Sequence, residues 1–188
     1  MEKTVYLVRH GIAEHLKFNR RKKMSSREVW ELLQSWYFVS LTPEGAEKLY
    51  QTKEKVPDGI KSVWVSPLKR AIETSEIISD KNYEIVNELS EIMEKPPLFP
   101  DSVRLSVNFW IVLSTVKRIV NLGILKDISG CKKIIRKIKY SDDPVLIVSH
   151  EARILSLIIY AKMRGNVKIF NRNVKPGGIS KLTFYWKD

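Results

Sequence analysis

Short apolar strands alternating with amphipathic helices along 188 residues predict an α/β fold, a three-layer α/β/α sandwich around a mainly parallel central sheet. Two further observations support it. Val145-Leu146-Ile147-Val148 is a continuous apolar run, as expected of a central strand covered on both faces. This strand and an early one, Thr4 to Val8, each end in a histidine-bearing turn: Arg9-His10-Gly11 and Ser149-His150-Glu151. Ligands gather beyond the carboxyl ends of strands in such sheets, so adjacent parallel strands would bring both imidazoles to one edge.

The elements follow in order. Thr4-Val5-Tyr6-Leu7-Val8 is rich in β-branched and aromatic residues and reads as the first strand. A polar, basic connection leads to Ser25-Ser26-Arg27-Glu28, a capping box that opens a helix whose apolar face carries Val29, Trp30, Leu32, Leu33 and Trp36. Thr42 as N-cap and Pro43 as first helical residue open a second helix, which runs to about Lys55 before Pro57-Asp58-Gly59 turns the chain. Ser62 to Val65 is the second strand, with a helix starting at Ser66-Pro67; Tyr83 to Val86 is a third, shorter strand. Pro96, Pro97 and Pro100 keep Glu88 to Asp101 largely as loop. Two helical segments follow, near Ser102 to Leu122 and Asp127 to Ile138, then the central strand at Val145, a helix from about Ala152 to Met163, and a last strand from Ile179 to Trp186. We expect a single domain over residues 1–188 with a helical insertion around 96–140.

Composition narrows the function. The formal net charge of +12 and a pI near 9.7 fit nucleic-acid binding, attraction of anionic small substrates, or a surplus of surface lysine. Apart from Arg20-Arg21-Lys22-Lys23 the basic residues are spread along the chain, and no recognisable nucleic-acid module surrounds that run, so nucleic acid is not the expected partner. The run reads as a solvated loop, or as a rim that selects polyanionic substrates. One cysteine, Cys131, and three histidines make a disulfide or a structural zinc site unexpected. The first strand follows the start without a signal-peptide apolar region, and the most apolar later stretch, Val107 to Leu125, is broken by Lys117 and Arg118. A soluble cytoplasmic protein, not a membrane one, is the expectation.

Chemistry gathers at the strand ends. Ser66-Pro67-Leu68-Lys69-Arg70 puts Arg70 in the first turn of a helix, where backbone N–H groups favour anions. With Arg9, His10 and His150, that makes two guanidiniums and two imidazoles converging on one edge. These segments resemble the histidine phosphatase superfamily, the phosphoglycerate mutase-like family. The resemblance rests on Leu7-Val8-Arg9-His10-Gly11, Leu41-Thr42-Pro43-Glu44-Gly45, Ser66-Pro67-Leu68-Lys69-Arg70-Ala71 with Thr74, and Val148-Ser149-His150, in the family's order across most of the chain.

The resemblance implies a phosphoglycerate mutase-like fold and a phosphohistidine intermediate on His10, oriented by the Gly11 backbone. Arg9 and Arg70 would clamp the phosphoryl oxygens, with a protonated His150 donating to them. The proton donor would be a glutamate after the third strand; Glu91 aligns best, with Glu88 and Glu94 as rivals. No metal or cofactor is expected, since the arginines supply the charge a cation would bring. Some positions depart from the pattern. Ile12-Ala13-Glu14 is closer to the short phosphohistidine-phosphatase branch, Leu16 stands where an asparagine that helps hold phosphate is common, and Asn19 would replace it only in a reshaped loop. Pro96 and Pro97 stand in place of a common glycine and aromatic pattern, and Glu151 where glycine is usual. We read Glu151 as a cap of the following helix, ahead of a role in orienting a histidine or meeting a cationic substrate group. The expected activity is a phosphatase acting on a phosphorylated small molecule or protein side chain. Mutase-type phosphoryl transfer and a catalytically weak binding homologue are the alternatives.

Overall fold

The computed structural model describes residues 1–91, 93–120 and 124–186. In chain order the regular elements are β1 (Glu2–Arg9), β2 (Lys23–Met24), α1 (Ser26–Ser35), α2 (Pro43–Lys53), β3 (Ser62–Val65), α3 (Lys69–Ile78), β4 (Glu84–Ile85), β5 (Leu105–Ser106), α4 (Val107–Val120), α5 (Ile124–Lys139), β6 (Val145–Ser149), α6 (Glu151–Met163), β7 (Val167–Asn171) and β8 (Ile179–Tyr185). Single 3-10 turns stand at Glu14–Lys17, Trp36–Phe38 and Asn87–Leu89.

The central sheet has the order β4-β3-β6-β1-β8-β7. Its first four strands run parallel, while β8 is antiparallel to β1 and β7 antiparallel to β8. The expected sandwich with a mainly parallel sheet is therefore what forms. β1 and β6 are neighbours in register, Val8 opposite Val148 and Arg9 opposite Ser149, so the two histidine turns leave the sheet side by side.

Strand alternation explains the layers. Val5, Leu7, Val145 and Ile147 face one side, where they join Cys131, Ile134 and Ile138 of α5 and Ile154, Leu157 and Ile158 of α6. Val8, Leu146 and Val148 face the other, against Leu49 of α2 and Ala71 and Ile78 of α3. Fully burying one such side chain contributes about 1.5–3 kcal/mol, so strands apolar on both faces belong at the centre of the sheet. A third cluster is separate: Val29, Leu33 and Trp36 pack on Val107 and Trp110, joining α1 to α4, and the small β2–β5 ribbon ties their starts together. No helix among the described residues is long and apolar enough to cross a membrane.

The caps form as the sequence indicates. Ser25 and Glu28 complete a reciprocal capping box on α1, and Thr42 Oγ1 accepts from Gly45 N at the start of α2. Gly45 is required there for space: a Cβ would sit 2.1 Å from the carbonyl oxygen of Ile12, which itself accepts from Thr42 N at 2.9 Å. Helix α2 thus presses directly on the turn that follows His10.

Three expectations differ. β7 falls where no strand was expected, and α3 begins at Lys69 rather than at Ser66-Pro67, with Leu68 as its N-cap. The segment expected to be helical from Ser102 is extended at Leu105–Ser106 before α4 begins, because it pairs with β2; its expected end at Leu122 lies outside the described residues.

Candidate active site

The site is built at the carboxyl edge of β1, β6 and β3. His10 follows β1, its backbone N–H donating to Ser149 O of β6 at 3.0 Å, and its side chain is 2% exposed. Its Nδ1 lies 2.7 Å from Gly11 O. A carbonyl can only accept, so Nδ1 carries the hydrogen and Nε2 is the bare nitrogen. Arg70 agrees, its Nε–H donating to His10 Nε2 at 3.2 Å. Burial and the nearby Arg70 charge hold the His10 imidazole well below its ordinary pKa, outweighing the Gly11 hydrogen bond. The ring is neutral, with its free nitrogen facing the guanidinium.

Arg70, in the first turn of α3, has no solvent exposure. Besides His10 it donates through Nη1 to Trp36 O at 2.6 Å and through Nη2 to the Glu91 carboxylate. Thr74, one turn on, accepts from Gly11 N at 3.0 Å and so fixes the glycine turn to the same helix. Burial lowers the Arg70 pKa and the Glu91 carboxylate raises it back.

His150 is the N-cap residue of α6 and fully buried. Its Nε2 shares a hydrogen with Ser66 Oγ, 2.7 Å away at the end of β3; its ring centroid is 5.1 Å from that of His10. Ser66 is thus engaged with His150, and its Oγ also accepts from Leu68 N at 3.4 Å just before α3. Burial, then the nearby His10 and Arg70, depress the His150 pKa well below its usual value. The protein's own surroundings therefore favour a neutral His150, against the protonated ring of our expectation; a bound phosphate dianion would act in the opposite sense.

Arg9 closes the other side. Its Nη1 lies 2.6 Å from Glu151 Oε2 and 3.0 Å from Val174 O. Glu151 stands in the first turn of α6, and its carboxylate is spent on Arg9 rather than on the helix cap we expected. Its counter-charge partly offsets the lowering of the Arg9 pKa by burial.

Glu91 follows the 3-10 turn whose Leu89 is buried and whose Leu89 carbonyl accepts from Ser149 Oγ at 2.7 Å. That anchor brings the Glu91 carboxylate onto Arg70 and within 3.7 Å of His150 Nδ1. Glu88 pairs instead with Lys133 of α5, and Glu94 lies 3.9 Å from Lys117 of α4. Of the three glutamates only Glu91 touches the cluster of histidines and arginines.

The cluster opens into a cavity of about 480 Å³ lined by Arg9, His10, His15, Arg20, Glu91 and Glu151. A smaller one of about 140 Å³ shares Arg20 and Glu91 and is walled by Leu33, Trp36, Met93 and Ile111 between α1 and α4. Arg20 alone of the basic run lines these cavities, its guanidinium 5.3 Å from the Trp36 ring centre. Leu16 lines the larger cavity with an apolar side chain, and Asn19 Oδ1 accepts from Arg21 N in its own turn. His15 is the site residue the sequence analysis passed over: no local motif marks it.

Three buried polar atoms about this cavity have no hydrogen-bond partner among the described residues: Arg9 Nε, His15 Nδ1 and His150 Nδ1. Orphaned donors of this kind, beside two guanidiniums, suit an oxyanion. Among the described residues no group of three or more His, Cys, Asp or Glu side chains is placed to hold a metal ion.

A mainly parallel α/β sheet with two histidines and two arginines gathered at its carboxyl edge is the class of protein that fold and site define. Residues 5–94 match the family model of the histidine phosphatase superfamily, branch 1. No curated protein matches it in sequence. Solved structures with phosphoglycerate mutase-like folds do match. Phosphoserine phosphatase from Entamoeba histolytica, solved with 3-phosphoglyceric acid, superposes with a TM-score of 0.63 at 16% identity, over 95% of this chain and 89% of that one. A candidate alpha-ribazole-5'-P phosphatase from Escherichia coli gives 0.61 at 15% identity over 95% and 89%. Mycobacterial glucosyl-3-phosphoglycerate phosphatase gives 0.51 at 13% identity over 84% and 78%. At these identities the likeness is one of fold.

Proposed function

We propose that this protein is a phosphatase that hydrolyses a phosphomonoester, on a small molecule or a protein side chain, through a phosphohistidine on His10. The observation that carries the reading is the state of His10. It is a neutral imidazole with Nδ1–H pinned to Gly11 O and Nε2 turned toward Arg70 inside a pocket of unsatisfied donors. In the first step the bound phosphoryl group draws the Arg70 Nε–H away from His10 Nε2, which attacks phosphorus in line with the leaving oxygen; the N–P bond forms as the P–O bond breaks, and Glu91, entering the step protonated and released from Arg70, gives its proton to the departing alkoxide. In the second, water attacks phosphorus, Glu91 takes its proton, the N–P bond breaks and inorganic phosphate leaves.

Arg9, through its unpartnered Nε, and Arg70, through the donors it gives up from His10 and Glu91, hold the equatorial oxygens, and His150 offers its unpartnered Nδ1. No metal or cofactor enters this scheme. Phosphatases among the structural neighbours support hydrolysis of a phosphate ester as the general chemistry. The test is turnover of 4-nitrophenyl phosphate by the wild-type protein and by His10→Ala, with acid-labile phosphate on the chain as a second readout. We expect wild-type turnover, unaffected by a chelator, and its loss with His10→Ala. Turnover that survives the substitution, or none on a broad phosphate panel, overturns the proposal.

A further inference from the structure

We propose that His15 is a phosphate-binding residue of this pocket, donating a hydrogen bond to a non-bridging oxygen of the bound group. The inference rests on the pocket's reading as a phosphate site and adds to it a ligand contact the sequence did not signal.

His15 sits in the 3-10 turn Glu14–Lys17, just beyond β1, with only 6% of its surface exposed. It lines the cavity together with Arg9, His10 and Arg20. The ring lies between two others, 5.6 Å from the His10 centroid and 5.3 Å from Trp36, so its orientation is fixed by packing. Its Nδ1 is buried and has no partner among the described residues. A histidine serving only to fill space would leave a buried polar atom unsatisfied at an energetic cost, where phenylalanine or leucine would not. An acceptor from a ligand removes that cost, and the phosphoryl oxygens at His10 Nε2 are the acceptors at hand.

The chemistry fits the neighbours. Burial, and then Arg70, Arg20 and Arg9 around it, lower the His15 pKa from 6.5 to about 3. The imidazole is therefore a neutral donor that adds a hydrogen bond without another positive charge beside three guanidiniums. Only the Nδ1–H tautomer of the neutral ring donates from Nδ1, and the ring takes that tautomer without gaining a charge.

The test measures orthovanadate binding calorimetrically, without turnover, to the wild-type protein and to His15→Phe and His15→Asn, with thermal unfolding as a fold check. Asparagine keeps a donor near the same place; phenylalanine keeps the volume and removes it. We expect His15→Phe to bind at least about tenfold more weakly, the size expected for a hydrogen bond to a charged acceptor, with His15→Asn within about threefold of wild type. If His15→Phe does not fold, His15→Ala gives the same reading. Unchanged binding by a folded variant that lacks the donor, or equal loss in the asparagine variant, overturns the role of His15 while the proposed phosphatase stands. Absence of vanadate binding by the wild-type protein overturns the phosphate-site reading and this inference with it.

Discussion

Replacing Glu151 by glutamine should tighten the binding of inorganic phosphate. Arg9 Nη1 is 2.6 Å from Glu151 Oε2, so a phosphate that takes this guanidinium must share it with a carboxylate or displace it. Two unit charges about 4 Å apart interact by about 1 kcal/mol in water and about 4 kcal/mol near a protein surface. The Glu151 side chain is 49% exposed, which argues for the low end, and exposed ion pairs measure about 0.2–1 kcal/mol. Relief of about 1 kcal/mol corresponds to about fivefold in affinity. Arg9 should not collapse on losing its partner, because Val174 O holds the same Nη1 from the other side at 3.0 Å. The assay is the competitive inhibition constant of phosphate against an aryl phosphate, at low and at high salt. The gain should shrink at high salt, where a half-exposed charge is screened. Unchanged or weaker inhibition by phosphate at low salt would show that Glu151 holds Arg9 in position rather than competing for it, and would refute the reasoning.

Four further outcomes follow from the same geometry. Because burial and Arg70 hold His10 well below its ordinary pKa, the acid limb of kcat/KM should lie well below pH 6.5; a midpoint near 6.5 would contradict the neutral nucleophile. His10, His15 and His150 all bind protons more readily unfolded than folded, so stability should fall as pH drops below about 6.5, the His15 contribution continuing to about pH 3; urea midpoints at two pH values, with His15→Asn giving a shallower change, check this. Gly45→Ala should cost about 1–3 kcal/mol and disturb His10, since its Cβ would press on the Ile12 carbonyl at 2.1 Å; a melting temperature equal to wild type would show that the turn yields freely. Arg20→Ala should raise KM for a polyanionic ester more than for an aryl monophosphate, whereas Arg21→Ala, outside the cavities, should leave both alone.

The parts of the site legible in the sequence are those tied to strand ends. A β-branched run followed by Arg9-His10-Gly11, and an apolar run followed by Ser149-His150, carry their own signals, and the parallel pairing of β1 with β6 makes them neighbours. Ser25 and Thr42 were readable as caps because capping is local. What was not readable depends on distance or on weak patterning. β7, Val167-Lys168-Ile169-Phe170-Asn171, buries no residue fully, places Phe170 on its exposed side and lies at the sheet edge, so no clean apolar alternation marks it. β2 and β5 are two residues each, too short for any period to show. His15 has no motif, and its place follows only from the folding back of the turn toward Trp36. Glu151 read as a helix cap because its partner, Arg9, lies far off in sequence at the end of β1.

The sheet order also fixes when such a site can exist during synthesis. β6 lies between β3 and β1, so the strands carrying Ser66 and His10 have no shared ladder until the strand from Val145 to Ser149 is made and inserted. A nascent chain that has exposed Arg9, His10 and Arg70 therefore holds the fragments of an anion site but no frame to align them. β8 comes later still, covering the other edge of β1. The cluster is therefore completed only after Ser149 and His150 have been made and β6 inserted, so a chain elongated no further than α5 should be unable to hold a phosphate ester at His10.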